Sequence, residues 1–282
     1  MAERPGSGDR RFLIVNADDY GLTRGVAEGI LRAGDLGVVT STSVLAVAPA
    51  FGATVPALRQ SGLGVGCHVA LVGEDPLLLG RAEVPTLVDR NGRPATSWRT
   101  FLRRAARGSV DPEDMRREAS AQLTACRDAG LVVDHLDTHQ HLHLWPAVGE
   151  VITRLALDMG IPAMRLPRAR RGLQACGVRP LARRLAKVAD TAGVVVPDRF
   201  AGLDGAGHLG IPGMVRAVQA MAESGARSAE LAVHPGMGSD PERSRYQWGY
   251  DWPGELEALC DPRLREAIAR SGFHLATFTD LA

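Results

Sequence analysis

The sequence is poor in cysteine, and this scarcity excludes two ways of building a site or stabilising a fold. The chain of 282 residues contains 4 cysteines, at positions 67, 126, 176 and 260. They are scattered and form no C-x-x-C pair, which argues against a disulfide framework and against a zinc site built from thiolates. Any metal site in this protein is therefore expected to use histidine and carboxylate ligands.

Long apolar runs and an excess of one charge are also missing. No apolar stretch approaches the ~18 residues needed to cross a bilayer, so we expect no integral membrane association. The 33 basic and 32 acidic residues leave a formal net charge of +1, which gives no reason to expect a nucleic-acid partner. The start, MAERPGSGDRR, lacks the apolar core of a signal peptide. We expect residues 1–11 to form a flexible tail and the protein to be cytoplasmic.

What the sequence does contain is a regular alternation of apolar, β-branched runs with helical patterns. Strand composition is found in eight runs, at residues 12–17, 38–47, 63–71, 131–139, 161–166, 194–200, 229–235 and 273–278. This alternation is typical of a parallel sheet covered by helices, and (β/α) barrels commonly have this length. We predict an α/β, TIM-barrel-related single domain over residues 12–282. A doubly wound open sheet is the competing topology.

Caps and prolines mark the predicted helices. Thr23 can cap a helix that begins near Gly25, and prolines open further helical patterns at Pro49, Pro112 and Pro146. A last helical pattern over residues 255–270 is interrupted near Pro262. No linker long enough to separate two domains is present.

One short stretch, HLDTHQHLH, places polar groups at every second position. These groups are His135, Asp137, His139, His141 and His143. Because side chains alternate between the two faces of a strand, an extended backbone would turn all five to one face. Imidazoles and a carboxylate on one face are unsuited to a core, but they are suited to binding a metal or moving protons.

Reactive side chains also follow the ends of four other predicted strands. The first strand ends in Asn16, Asp18 and Asp19, the third near His68, the fifth in Arg165 and Arg168, and the seventh in His234. In parallel α/β folds the functional groups gather at the carboxyl ends of the strands. These residues are therefore predicted to share one site.

Strand geometry limits how many histidines can bind one ion. Neighbours on one face are separated by roughly two rises of ~3.3 Å, whereas metal–nitrogen bonds are only ~2.0–2.1 Å long. One histidine near the strand end should bind, unless the backbone bends. We predict His139 as that ligand, completed by His68 and a carboxylate from the first strand end. His141 and His143 would line the loop, and open coordination positions would remain for water and substrate.

Each of these residues also has a purely structural interpretation. A lone histidine at a strand end more often makes structural hydrogen bonds, and we adopt this interpretation for His135 and His208. The pair Asp18-Asp19 is about as typical of a helix cap or a turn as of a catalytic site. The basic region from Arg165 to Lys187 is more typical of a solvated face than of an anion site. The coincidence of reactive groups at five strand ends favours a functional site.

Five motifs, in this order, resemble the YdjC/ChbG-like carbohydrate deacetylase family: LIVNADDYGLTRGVAEGI, VTSTSVL, GVGCHVAL, HLDTHQHLHLWP and LAVHPG. The resemblance covers nearly the whole chain. It implies a (β/α) barrel-like fold and hydrolysis of an acetamido group on a sugar, assisted by one divalent ion, Mg²⁺ or Zn²⁺. The family's Asp-His-His metal set falls on Asp19, His68 and His139. The segment EVPTLVDRNGR is similar to a subgroup that acts in hopanoid lipid biosynthesis.

A fainter similarity, to chitin-deacetylase-type polysaccharide deacetylases, suggests catalytic roles. It covers the Asp18-Asp19 pair, Arg165-Leu166-Pro167 and the stretch from Leu231 to His234. Asp18 would take a proton from the attacking water, and Arg165 would hold Asp18 ionised by pairing with it. His234 would protonate the leaving amine.

The expected substrate is an N-acetylated amino sugar, with a sugar-linked hopanoid lipid as the alternative. Nothing in the sequence commits the protein to a bilayer, which favours a soluble sugar. Several aromatic residues fall in predicted loops, where flat rings can stack on sugars. The predicted substrate-binding residues are His141, His143, Arg168 and Trp248. A homodimer is left open.

Two other functions fit part of the pattern. A metal phosphoesterase or amidohydrolase of another barrel type would usually need a second metal ion, and no complete second ligand set is found. A non-catalytic metal- or sugar-binding barrel is the other alternative. An unligated Asp18 beside the ion would favour catalysis, because a site that only binds needs no such base.

Overall fold

The computed structural model describes residues 10–169 and 172–282, apart from the side chains of residues 172–175. Most of the predicted tail, residues 1–9, lies outside the described residues. Within those limits there are eight strands: β1 (Arg11–Tyr20), β2 (Ser41–Val44), β3 (Gly64–Val69), β4 (His135–Thr138), β5 (Ala163–Met164), β6 (Arg199–Ala201), β7 (Ser228–Val233) and β8 (Phe273–Leu275). Every predicted strand is present, although most are shorter than the apolar runs that predicted them.

Helices connect the strands. In the same described ranges they are α1 (Arg24–Asp35), α2 (Phe51–Leu58), α3 (Trp98–Ala106), α4 (Pro112–Asp128), α5 (Pro146–Asp158), α6 (Gly172–Ala192), α7 (Ile211–Glu223), α8 (Trp252–Cys260) and α9 (Pro262–Arg270). The Thr23 side chain accepts a hydrogen bond from the Val26 N–H and caps α1, as predicted. Helix α2 begins after Ala50 rather than at Pro49. No helix in these ranges has the length and apolar content to cross a bilayer.

The strands form one curled parallel sheet. Their order is β5-β4-β3-β2-β1-β7-β6, and β8 pairs with the start of β1. The two edges approach each other, because Ala163 of β5 forms a parallel bridge with Val195, just before β6. This is the predicted barrel-like single domain and not a doubly wound open sheet. All carboxyl ends of the paired strands consequently meet at one face.

Alternation along the strands separates an apolar side from a polar interior. On β1, Leu13, Val15 and Ala17 belong to the main hydrophobic cluster that the helices cover. The residues that bond to one another inside the sheet are fully buried and polar: Asn16, Ser43, His135, Asp137, Arg165 and Glu230. A small apolar cluster of Ile14, Ala163 and Phe278 lies next to His135, whose ring stacks on Phe278. The interior of the sheet is thus a polar network.

The basic region after Arg165 is partly packed and partly solvated. It contributes most of α6, in which Ala182, Leu185 and Ala189 are buried while Arg183 and Lys187 are exposed. The predicted solvated face is therefore one side of an amphipathic helix.

Helix α1 meets the segment after β7 at two glycines, and this contact generates a prediction. A Cβ at Gly29 would collide with the Cα of Gly236, whereas a Cβ at Gly52 in α2 would meet no atom of the described residues within 4 Å. We expect Gly29→Ala to lower the free energy of unfolding by about 1–3 kcal/mol, because backbone must shift to relieve overpacking. Gly52→Ala should leave it unchanged or raise it by up to about 1 kcal/mol through helix propensity. Equal melting temperatures for the two variants would contradict this packing.

Candidate active site

The end of β1 delivers two consecutive carboxylates to the same site. In a regular strand Asp18 and Asp19 would point to opposite faces. Here the register between β1 and β2 shifts between Ala17 and Tyr20, and Asp19 adopts a left-handed backbone conformation with φ of 68°. Such a conformation is uncommon for a residue other than glycine and is concentrated at functional sites. The irregularity lets both carboxylates reach the barrel mouth.

Asp19, His68 and His139 form a compact triangle of ligand atoms. Asp19 Oδ1 lies 3.5 Å from His68 Nε2 and 3.3 Å from His139 Nδ1. The two imidazole nitrogens are 3.4 Å apart. All three side chains are buried. The structure therefore brings together, from three strand ends, the three residues predicted as metal ligands.

The triangle fits one divalent ion. Two donor atoms bonded at ~2.1 Å and separated by a tetrahedral angle lie about 3.4 Å apart, which matches the observed spacing. Asp19 Oδ1 makes no hydrogen bond within the described residues, although it is buried. Burial raises the pKa of Asp19, but His139 and His68 lower it below its ordinary value. An ionised, buried oxygen without a hydrogen-bond donor is suited to a cation.

A second group of potential ligands lies deeper, but Arg165 occupies it. Asp18, His68 and Asp137 also place ligand atoms close together. However, the Arg165 guanidinium lies 2.6 Å from an oxygen of Asp18 and 2.6 Å from an oxygen of Asp137. A fixed positive charge at that distance disfavours a metal ion between the same carboxylates.

The backbone bends sharply after His139. Strand β4 ends at Thr138, and a short 3-10 segment, His139–Leu144, follows with positive φ at Gln140 (54°) and His141 (53°). The strand predicted through residue 139 ends at Thr138, and the bend that strand spacing left open is present. Because of the bend, the odd positions after His139 no longer continue one face of the strand.

His141 and His143 do not belong to the ligand triangle. The His143 side chain has no exposed surface, and its Nδ1 lies 2.7 Å from Thr138 Oγ1. A substrate contact by His143, as predicted, is not available in this arrangement because the ring is fully covered. Burial lowers the pKa of His143 to about 3, so it is neutral. His141 packs edge-on against Phe200, with ring centroids 5.7 Å apart.

Arg165 holds Asp18 in a bidentate ion pair. Its Nη1 and Nη2 donate to the two oxygens of Asp18 at 2.7 and 2.6 Å, and Asn16 Nδ2 donates to Oδ1 at 2.9 Å. Burial raises the pKa of Asp18, but the charge of Arg165 lowers it to about 2. Asp18 is therefore ionised at neutral pH and fixed in orientation beside the triangle, without belonging to it.

Two more carboxylates contact this network: Asp137, which was expected on the polar face of its strand without a specific role, and Glu230, which was not expected at the site. Asp137 Oδ1 lies 2.7 Å from His68 Nδ1, so it accepts the ring N–H opposite the nitrogen that faces the triangle. Glu230 Oε1 accepts from Arg165 Nε at 2.7 Å, and burial raises the pKa of Glu230 to about 7. The available signal for Glu230 was a lone acid within the apolar strand sequence AELAV.

His234 lies beside Asp18, as the strand-end pattern predicted. Its Nε2 is 3.8 Å from Asp18 Oδ2, too long for a hydrogen bond. Its backbone N–H donates to Glu255 Oε2 at 2.5 Å, which ties the end of β7 to α8. The ring of Tyr250 lies 4.8 Å from the imidazole.

Aromatic rings form one wall of the mouth. Trp248 lies 5.2 Å from the His139 ring, between centroids, and its Nε1 donates to Glu74 at 2.9 Å. Tyr250 and Trp252 lie within 6 Å of the Trp248 ring, at 5.6 and 5.7 Å. The structure thus places the predicted sugar-contacting Trp248 next to the triangle.

Arg168 lies elsewhere on the mouth. It lines a cavity of about 640 Å³ with residues of β6 and α7, including Ala201 and Arg216. His139 and Trp248 line a different, smaller cavity. Arg168 is half-buried and its Nε has no hydrogen-bond partner among the described residues. The structure therefore does not bring this predicted substrate contact against the ligand triangle.

Comparison with known proteins decides the family. The model of the YdjC-like protein family matches residues 12–270. The chain belongs to this family. The resemblance inferred from the ordered motifs is confirmed.

Relatives of this YdjC-like protein are similar over their full length. A carbohydrate deacetylase from Geobacillus stearothermophilus is 32% identical over 271 residues, which cover 96% of this chain and 98% of the relative. A chitooligosaccharide deacetylase from an Enterobacter species is 32% identical over 274 residues, with 96% and 99% coverage. A crystal structure of an Enterococcus faecalis protein superimposes with a TM-score of 0.84 at 27% identity, covering 97% of this chain and 100% of the other.

The geometry of the triangle predicts which variants of this YdjC-like protein lose metal. Replacing His68 or His139 by Ala should abolish stoichiometric binding of a divalent ion, because two ligands cannot enclose it. His143→Ala should retain the ion, because that ring is buried against Thr138. Elemental analysis after dialysis measures both. Full metal content in His139→Ala would exclude the assignment.

Proposed function

We propose that this protein is a metal-dependent carbohydrate N-deacetylase, a hydrolase that removes the acetyl group from an N-acetylated amino sugar. The observation that carries the proposal is the triangle of Asp19, His68 and His139 with an ionised Asp18 beside it. The relatives named as carbohydrate and chitooligosaccharide deacetylases support the substrate class.

The ligand set is proposed to hold one divalent ion, Mg²⁺ or Zn²⁺. Such an ion polarises an amide carbonyl and acidifies a bound water. His68 presents Nε2 to the ion position while its Nδ1 bonds to Asp137, an arrangement that fixes the ring and strengthens the ligand. Three protein ligands leave positions free, as a catalytic site requires.

Asp18 is the proposed general base. It takes the proton of the attacking water, and the hydroxide oxygen bonds to the amide carbon. Arg165 fixes both carboxylate oxygens, and this orientation keeps the base directed at one position. The pKa of about 2 keeps Asp18 ionised throughout the physiological range. A site that only binds metal would not need a carboxylate held in this way.

His234 is the proposed general acid. As the C–N bond breaks, it transfers its proton to the amine nitrogen, which leaves as the free amino sugar, while acetate remains. Its contact with Glu255 through the backbone holds the segment in place. Its position within 4 Å of Asp18 allows base and acid to act on the same acetamido group.

Trp248 is the proposed contact for the sugar ring. Its indole is fixed by the hydrogen bond to Glu74 and lies beside His139. A flat apolar face next to the ion position can stack on a pyranose while the acetamido group reaches the triangle. This supports an amino sugar as substrate and does not distinguish a soluble oligosaccharide from a glycolipid.

Replacing the proposed base separates chemistry from metal binding. Asp18→Asn should lower turnover by about 10²–10⁴-fold, the range typical of a lost general base, while metal content stays the same. Asp114→Asn is a matched control, since Asp114 is equally buried and bonded to an arginine, but lies on α4. It should retain near-normal turnover. If Asp18→Asn does so as well, the base lies elsewhere.

The substrate itself is tested by acetate release from a panel of N-acetylated sugars. We expect release from soluble N-acetylglucosamine oligomers, with little dependence on salt. If acetate were released only from a glycolipid in anionic vesicles, and if added salt abolished it by screening membrane docking, the soluble-sugar substrate would be wrong. The sugar-linked lipid would then take its place.

A further inference from the structure

A continuous hydrogen-bond chain runs from His68 through the interior of the sheet to its opposite end. Beyond Asp137, the carboxylate that accepts from His68, comes Ser43 of β2, whose Oγ donates to Asp137 Oδ2 at 3.0 Å. Ser43 Oγ also lies 3.1 Å from His135 Nε2. His135 Nδ1 in turn lies 2.6 Å from Asp134 Oδ1. Every member of the chain is buried.

The hydroxyl of Ser43 has one proton and three partners, so its hydrogen bonds can be assigned. Asn16 Nδ2, at 2.9 Å, can only donate. Asp137 accepts from Arg165 and His68 and, as a carboxylate, can only accept. If the Ser43 proton points to Asp137, both lone pairs are free to accept from Asn16 and His135. This is the arrangement in which every partner of Ser43 is satisfied.

That assignment fixes the proton on His135 as well. Its Nε2 must carry the hydrogen that Ser43 accepts. On the other side of the ring, Nδ1 lies 2.6 Å from Asp134 Oδ1, and this contact fixes the orientation of the imidazole. The hydrogen bonds of the chain therefore donate toward Asp137 from both sides, from His135 and Ser43 on one side and from His68 on the other.

We propose that Ser43 and His135 are positioning residues that set the metal affinity of the site. Together they keep the Ser43 hydroxyl donating to Asp137, and Asp137 then stabilises the Nδ1–H tautomer of His68. That tautomer leaves His68 Nε2, the atom in the ligand triangle, free to bind a divalent ion. His135, which the sequence assigned to a structural hydrogen bond, thus acts on the site through two intermediaries.

Ser43 also connects the ligand to the base. Asn16 donates one amide hydrogen to Ser43 and the other to Asp18. The Ser43 hydroxyl is therefore linked to the base through Asn16 and to the ligand His68 through Asp137, and a purely structural hydrogen bond would not need both links. The proposal rests on the proposed function only in requiring an ion at Asp19, His68 and His139.

The test is the affinity of the metal-free protein for Zn²⁺, measured by calorimetry, with the melting temperature recorded for each variant. Ser43→Ala and His135→Leu should raise the dissociation constant by about 10–100-fold, the loss typical when support for a metal ligand is removed. Ser43→Thr, which restores the hydroxyl, and His135→Gln, whose amide can donate to Ser43, should stay near the unaltered protein.

Thr42→Val is the matched control. Thr42 is the neighbour of Ser43 on β2, equally buried, and its hydroxyl donates to the Ala17 carbonyl at 2.7 Å, outside the chain. It should lower the melting temperature without changing Zn²⁺ affinity. If Ser43→Ala behaves like Thr42→Val, the positioning role is excluded and Ser43 is structural. If His135→Leu fails to fold, the comparison of Ser43→Ala with Ser43→Thr decides.

The outcomes separate this proposal from the proposed function. A protein that binds Zn²⁺ with the predicted pattern but releases no acetate from any sugar refutes the deacetylase and keeps the positioning role. Acetate release by the unaltered protein, together with unchanged Zn²⁺ affinity in Ser43→Ala, keeps the deacetylase and refutes the positioning role. An unaltered protein that binds neither Zn²⁺ nor Mg²⁺ refutes both.

Discussion

The guanidinium of Arg165, which follows β5, is fully buried and bonds to carboxylates from three strands, Asp18 of β1, Asp137 of β4 and Glu230 of β7. Removing one partner of such a buried pair would leave a charge uncompensated in the interior. This would lower the free energy of unfolding far more than the loss of a surface ion pair. Because these strands meet only when the sheet curls, the guanidinium links the closure of the barrel to the orientation of the site. It holds the base directly and reaches His68 through Asp137.

The charges around Arg165 explain why a cation suits the mouth. The pKa of each of Asp18, Asp19 and Asp137 is lowered despite burial, through neighbouring Arg165 or histidines. The ionised carboxylates of Asp18, Asp19 and Asp137 outnumber the single guanidinium of Arg165, and a divalent ion at the triangle would compensate the excess of negative charge. The position of Arg165 also separates the roles of the carboxylates. Its guanidinium bonds to oxygens of Asp18 and Asp137 and leaves Asp19 for the ion.

Much of this could be predicted from the sequence, because strand composition and the strand-end rule act locally. They yielded the eight strands, the barrel, and the meeting of Asp18, Asp19, His68, His139 and His234. Strand spacing left a bend after His139 open but did not locate it, since Gln140, where the left-handed backbone begins, is not a typical left-handed residue. The contacts of Ser43 and Glu230 depend on the register between strands distant in sequence, which side-chain periodicity does not specify. Arg168 followed the strand-end rule yet lies in another cavity.

The most direct test of the central claim is a crystal structure of the Zn²⁺-loaded protein, with the ion located by its anomalous scattering. Our account predicts one ion bonded to Asp19 Oδ1, His68 Nε2 and His139 Nδ1, with both oxygens of Asp18 still bonded to Arg165. An ion bonded to Asp18 and Asp137, with the guanidinium displaced, would contradict the separation of base from ligands on which the account depends.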